Sequence, residues 1–204
     1  MNVLLISDEA DPALWDCYVP GRLKDYDLIL SAGDLDAEYL SFLVTMTNVP
    51  VLYVHGNHNA SYDRFPPEGC ECIEDRLVTV NGLRILGLGG SAFYSGGKYQ
   101  YTEKQMQRRI AKLDRAVKKA GGVDIVLSHC PPKGCGDAQD YAHRGFEAFL
   151  PMLERWKPKM LVHGHIHLSY GVPREQLCGG TRIINAYMRC TLETDPETGA
   201  AVLR

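Results

Sequence analysis

Five times along this chain a short apolar run stops at a polar residue able to hold a metal ion, and this recurrence limits the possible folds more than any other feature. Val3 to Ile6 ends in Ser7-Asp8, and Leu28 to Leu30 ends in Ser31-Ala32-Gly33-Asp34. Val51 to Val54 ends in His55-Gly56-Asn57-His58, Ile125 to Leu127 in Ser128-His129, and Met160 to Val162 in His163-Gly164-His165. Short unbroken apolar runs read as strands buried on both faces. In sheets of such strands, ligands gather beyond the carboxyl ends. The pattern therefore collects Asp8, Asp34, Asn57, His58, His129, His165 and His167 at strand ends. Gly33, Gly56 and Gly164 beside them permit sharp turns and keep bulk away from a bound ion. His165 and His167 are two apart, so in an extended segment both imidazoles face one side. Carboxylates, an amide oxygen and imidazoles without clustered thiolates suit Mn, Fe or Zn at a chemical rather than a structural site. Taken singly, Asp8 and Asp34 also read as helix caps and each histidine as a hydrogen-bonded core residue. Together they favour a metal.

Helical patterns lie between the strands. Tyr39-Leu40, Phe42-Leu43 and Met46 suit a helix packed on a sheet. Thr102 and Gln105 form a capping-box signature opening a helix that should run to about Ala120, before Gly121-Gly122. Its Lys and Arg residues read as a solvated face. Phe146 to Trp156 reads as a further helix, with Pro151 as a kink or boundary. Leu77–Val80 and Arg84–Leu88 flank Asn81-Gly82, a hairpin signal. Ile183–Ala186, Arg189–Glu193 and Ala200–Leu203 suggest a C-terminal meander with a Thr198-Gly199 turn. The class is α/β, with mixed sheets and helices outside.

Composition sets outer limits. A chain of 204 residues, 45% hydrophobic, fills one core, so residues 1–204 are expected to form one domain. A net charge of -3 argues against a broad nucleic-acid surface but leaves room for a local nucleotide site. The first apolar run is too short, and lacks the basic flank, for a signal peptide or a membrane span. The expectation is a cytoplasmic protein without membrane contact. Seven cysteines, an odd number, read as reduced thiols rather than a disulfide framework.

Ser7-Asp8, Gly33-Asp34, Gly56-Asn57-His58, Ser128-His129 with Pro131-Pro132, and Gly164-His165-Ile166-His167 resemble the ordered motifs of calcineurin-like metallophosphoesterases, from about residue 3 to residue 187. The resemblance implies a four-layer αββα sandwich with two mixed β-sheets. It implies that Asp34 bridges two metal ions, that Asp8 and His167 complete the first, and that Asn57, His129 and His165 complete the second. His58 would act on the phosphate as general acid or transition-state hydrogen-bond donor. A metal-bridging hydroxide would attack a phosphomonoester or phosphodiester, nucleotides among the candidates, with the ions about 3.5–4 Å apart. Diester cleavage is slightly favoured, since so short a chain leaves little room for a cap domain.

Two positions depart from the family pattern. Ala10 stands where the first motif usually has histidine, so the first metal should bind more weakly, unless water, Glu9 or Asp36 fills the gap. Asn59 stands where a carboxylate usually orients the histidine, which should make His58 a poorer acid. These departures motivate two alternatives: a degenerate fold used as a non-catalytic binding module, and a mononuclear hydrolase. His55 and His163 read as structural, His143 as a substrate contact or a helix cap, and Arg144 as a surface residue or a phosphate contact. Cys130 reads as a buried thiol, and Tyr94, Tyr99 and Tyr101 as packing residues or a platform for a base.

Overall fold

The apolar runs become strands because both of their faces are covered. The computed structural model describes residues 1–194 and 201–204. In chain order its strands are β1 (Asn2–Ser7), β2 (Leu28–Ser31), β3 (Val51–Tyr53), β4 (Glu71–Cys72), β5 (Leu77–Val80), β6 (Leu83–Leu88), β7 (Ser91–Ala92), β8 (Gln100–Tyr101), β9 (Ile125–Ser128), β10 (Met160–His163), β11 (Glu175–Cys178), β12 (Thr181–Asn185), β13 (Met188–Thr194) and β14 (Ala201–Leu203). The α-helices are α1 (Ala37–Met46), α2 (Glu103–Lys119) and α3 (Phe149–Trp156). One six-stranded sheet has the order β14-β13-β1-β2-β3-β4, and a second has β11-β12-β10-β9-β6-β5.

Alternate residues of each run serve different layers. Val3 and Leu5 meet Leu30, Leu52, Ile125 and Val162 between the two sheets. Leu4, Ile6, Ile29 and Val51 point the other way, onto Tyr39, Leu40 and Leu43 of α1. Leu86, Val126 and Leu161 cover the outer face of the second sheet under Met106, Ile110, Phe149 and Met152 of α2 and α3. Three apolar layers between four structural layers make the αββα sandwich. Val3, Leu4, Leu5 and Ile6 are all fully buried, each contributing about 1.5–3 kcal/mol of transfer free energy.

The capping box forms as expected: Gln105 N donates to Thr102 Oγ1 (3.3 Å) and Thr102 N to Gln105 Oε1 (2.8 Å). Asn81 and Gly82, at φ 49° and 83°, join antiparallel β5 and β6 in the doubly left-handed turn that suits strand twist. Other expectations need correction. The last helix starts at Phe149, not Phe146, because residues 146–148 form a turn. Pro151 therefore falls in the first helical turn, where its missing N–H costs nothing. The C-terminal strands are not one meander. β12 pairs with β10 and β11 in the second sheet, whereas β13 pairs with β1 and β14 in the first. The chain changes sheets at Ala186-Tyr187, a crossing that strand propensity does not register. The Thr198-Gly199 turn lies outside the described residues.

Arg109 leaves the expected solvated face of α2 and is only 10% exposed, held by Glu74 and by Asp75. The thiols are not all free. Cys135 and Cys178, 43 residues apart, form a disulfide joining the loop after β9 to β11, while Cys17, Cys70, Cys72, Cys130 and Cys190 stay unpaired. Among the described residues, no helix is long and apolar enough to cross a membrane.

Candidate metal centre

Parallel pairing decides where the polar residues emerge. β1, β2 and β3 run together, as do β6, β9, β10 and β12, so the segments following them share one edge of each sheet. Asp8 N donates to Gly33 O and Gly164 N to His129 O, both at 3.0 Å. Two glycines permit this closeness. A Cβ on Gly56 would lie 2.0 Å from Asp34 Oδ1, and one on Gly164 would lie 2.6 Å from Asp8 Oδ2.

Asp34, His129 and His165 each offer a ligand atom within 4.8 Å of the others. His129 is fully buried, and its Nε2 lies 3.1 Å from Asp34 Oδ2 and 3.1 Å from Asn57 Oδ1. The far nitrogens are tied back: His129 Nδ1 lies 2.7 Å from Ala32 O, and His165 Nε2 lies 2.9 Å from Ala142 O. A ring nitrogen facing a carbonyl carries a proton, so His129 Nε2 and His165 Nδ1 are the atoms left to ligate an ion, His129 once its second proton leaves. Proteins commonly orient metal-binding imidazoles this way. Asn57 Nδ2 donates to Tyr94 OH (3.1 Å), which turns Oδ1 toward His129. Both Asp8 oxygens accept from His165 N at 3.0 Å.

The other candidates sit on the rim. His58 is exposed; its backbone N–H donates to Asp34 Oδ1 (2.7 Å), and its ring has no hydrogen bond among the described residues. His167 is also exposed, its ring tilted on Tyr187 at 4.7 Å between centroids. The Tyr187 hydroxyl donates to the Glu9 carboxylate. Ala10 packs into the apolar layer under α1, and Asp36 lies exposed just before that helix. The structure thus draws Asp34, Asn57, His129 and His165 tightly together, sets Asp8 behind His165, and leaves His58 and His167 at the mouth.

Asp8, Asp34 and His165 take left-handed backbone conformations, with φ of 64°, 59° and 67°. Such strain costs of order 1–3 kcal/mol per residue and collects at functional sites. The electrostatics agree. Burial pushes the Asp8 carboxyl up. Burial acts the same way on Asp34, but the His129 charge and hydrogen bonds from His129 and the His58 amide overcome it and bring the carboxyl to about 2. Burial would lower His129, yet Asp34 and Asp8 raise it to about 9. Burial and the His129 charge hold His165 down at about 3, so it stays neutral. A proton on His129 thus stands where two buried carboxylates call for a cation. Carboxylates, an amide oxygen and two imidazole lone pairs fit Mn, Fe or Zn.

Asn59 has a role the sequence does not disclose. Its Oδ1 accepts from Asp34 N (2.8 Å) and Gly56 N (2.7 Å), and its Nδ2 donates to Leu35 O (3.1 Å). It pins the Asp34 loop instead of orienting His58, and a carboxylate could not make the last bond. His143 is held by Asp140 Oδ1 at its Nδ1 (2.8 Å) and lies 5.0 Å from the His165 ring. His163 is a buried neutral histidine, held down to about 4 by burial, with Nδ1 on Gly164 O at 2.8 Å. Cys130 is a buried thiol. Arg144 Nη2 donates to Phe93 O (3.1 Å) rather than entering the site.

A family model described as calcineurin-like phosphoesterase matches residues 7–169, the stretch that carries every one of these side chains except Tyr187. The chain belongs to the calcineurin-like phosphoesterase family. Within it, the chain is 28% identical over 217 residues to metallophosphoesterase domain-containing protein 1 of Homo sapiens, covering 87% of this chain and 64% of that protein. It is 26% identical over 219 residues to a UPF0046 protein of Caenorhabditis elegans, covering 91% of this chain and 69% of that one. The chain therefore spans 64% of the length of the human relative. The protein TT1561 of Thermus thermophilus superposes over 100% of this chain and 97% of its own with a TM-score of 0.67 at 13% identity, a likeness of fold. Membership in this phosphoesterase family implies divalent metal ions, and Asp34, His129 and His165 form a candidate site for one.

Proposed function

We propose that this calcineurin-like phosphoesterase hydrolyses a phosphomonoester or, preferentially, a phosphodiester at a dinuclear metal centre shared through Asp34. The observation that carries this reading is the pair of imidazoles that each have one nitrogen against a backbone carbonyl, Ala32 O and Ala142 O, and each offer a ligand atom within 4.8 Å of one on Asp34. Asn57, His129 and His165 would hold one ion with Asp34, and Asp8 and His167 the other. Bound there, the ions supply Lewis acidity and a nucleophilic hydroxide at neutral pH. The chain's own part is positional. The His58 amide fixes Asp34 Oδ1 (2.7 Å), and the exposed His58 ring at the mouth meets the phosphate as proton or hydrogen-bond donor. Asn59 keeps the bridging carboxylate in register through two backbone N–H bonds.

One observation favours unequal metal sites, with a single tight ion as the limit. The compact group lies on the Asn57 side, whereas Ala10 turns into the apolar layer and His167 stays at the rim. The test is Asp34→Asn assayed on p-nitrophenyl phosphate and its bis ester, with metal content measured on protein purified without chelator. The expected result is loss of both activities together with loss of bound Mn, Fe or Zn. Unchanged turnover in the variant, or wild-type protein that never takes up metal, contradicts the reading; the latter selects the binding-module alternative.

A further inference from the structure

A cavity of about 650 Å³ opens between the Gly134–Asp140 segment and Tyr170–Pro173. It adjoins the metal centre through one side chain. Asp140 and Tyr170, both in its wall, hold the two nitrogens of His143 at 2.8 and 3.3 Å. The His143 ring in turn lies 5.0 Å from His165, and neighbouring Ala142 supplies the carbonyl that orients His165. The wall has a definite chemistry. Its ionisable groups of either sign are Asp137 and Asp140, with Tyr170, and no lysine or arginine lines it. Asp137 is already occupied, accepting from Gly134 N and Gly145 N at 2.9 Å and facing Lys133 at 3.1 Å. Gln139 and Gln176 line the cavity with side-chain amides that have no hydrogen-bond partner among the described residues.

We propose that this cavity receives the leaving alcohol of the substrate, an uncharged hydrogen-bonding group of nucleoside or sugar size, and selects against a leaving group that carries its own phosphate. The inference rests on the hydrolytic reading above. In hydrolysis the oxygen of water ends on phosphorus, the P–O bond to the alcohol breaks, and the alcohol departs with a proton as a neutral molecule. A volume of this size suits such a group. Free amides satisfy its hydroxyl and carbonyl edges, and a wall whose charged side chains are carboxylates, Asp137 facing Lys133 and Asp140 facing His143, offers a phosphate-bearing product no free lysine or arginine.

Two experiments test this separately from the hydrolytic reading. The first is amide NMR of the zinc-loaded protein titrated with uridine or pyrophosphate. Uridine should shift Gly134, Gly136 and Gly171 and the Gln176 side-chain amide, and pyrophosphate should leave them in place. Cavity shifts from pyrophosphate, or none from uridine, overturn the proposal whatever the protein's activity. The second measures phosphate release from uridine monophosphate and uridine diphosphate by wild type and Gln139→Lys. The added cation should move the ratio of kcat/KM toward the diphosphate by about tenfold. An unmoved ratio in an active variant overturns the proposal and leaves the hydrolase standing. Absence of metal-dependent turnover in the wild type counts against the hydrolase, and the uridine titration then decides the cavity alone.

Discussion

Two buried charge clusters stand side by side at the edge of the first sheet, fed by the same strand end, and they are built on opposite plans. In one, Glu74 accepts from His55 N (3.1 Å) and lies 3.2 Å from His55 Nδ1, while its other oxygen meets Arg109. Arg109 also reaches Asp75 Oδ1 (2.9 Å) and Gly89 O (2.8 Å), with its guanidinium 4.3 Å over Tyr101. Two cationic and two anionic side chains close on one another. In the other cluster, the cationic groups facing Asp8 and Asp34 among the described residues are histidines, His165 stays neutral, and the one positive charge that His129 can carry stands against two carboxylates. The first cluster completes itself from the chain. The second is arranged around positive charge that the chain does not supply, which is where a metal ion belongs.

The sharpest way to break this contrast is Glu74→Gln, which leaves Arg109 and His55 without their buried partner. It should cost about 3–5 kcal/mol in urea unfolding and leave metal content unchanged. A loss of metal would show that the two clusters are not independent. Next in size, Cys135→Ser with Cys178→Ser should lower stability by about 2–4 kcal/mol, read as a drop in Tm, because the closed loop spans 43 residues. Asn59→Ala should cost about 1–3 kcal/mol, since it strands the Asp34 and Gly56 amides, and should weaken metal affinity by roughly 10- to 100-fold. A titration with Zn checks the second effect, and Glu74→Gln serves as the control that leaves affinity alone.

The last test is in pH dependence. Burial pushes His55 down, but its contacts with Cys72 and Glu74 outweigh that and raise it to about 9. The contact with the Cys72 sulphur is long at 3.9 Å, so the Glu74 carboxylate at 3.2 Å is the effective partner. A histidine raised on folding contributes stability that is complete below its unfolded pKa of about 6.5 and fades as pH climbs through its folded value. Wild-type stability should therefore fall from about pH 6.5 to about pH 9, and the fall should be shallower in Glu74→Gln. His129 titrates in both proteins, so the difference between the two curves isolates His55.

The site was more legible in the sequence than the structure around it. Strand ends could be read because a run buried on both faces must be apolar throughout, and Asp8, Asp34 and His129 interrupt it abruptly. The sheet to which each strand belongs was not legible, since the residues of β12 and β13 do not specify a partner, β10 for one and β1 for the other. Arg109 looked like its exposed neighbours on α2 because helical spacing does not reveal that Glu74 waits beneath it. Cys135 and Cys178 gave no local signal at a separation of 43 residues. Asn59 was visible as a departure from a motif, but the two backbone amides it holds appear only once the Asp34 and Gly56 loops are brought together.

The proposed centre depends on Asp34 joining two cations of unequal affinity. Anomalous diffraction from crystals grown with manganese examines that carboxylate directly. The expected map has a strong peak among Asp34, Asn57, His129 and His165 and a weaker one toward Asp8 and His167. A map with no peak in coordination distance of Asp34 contradicts the account.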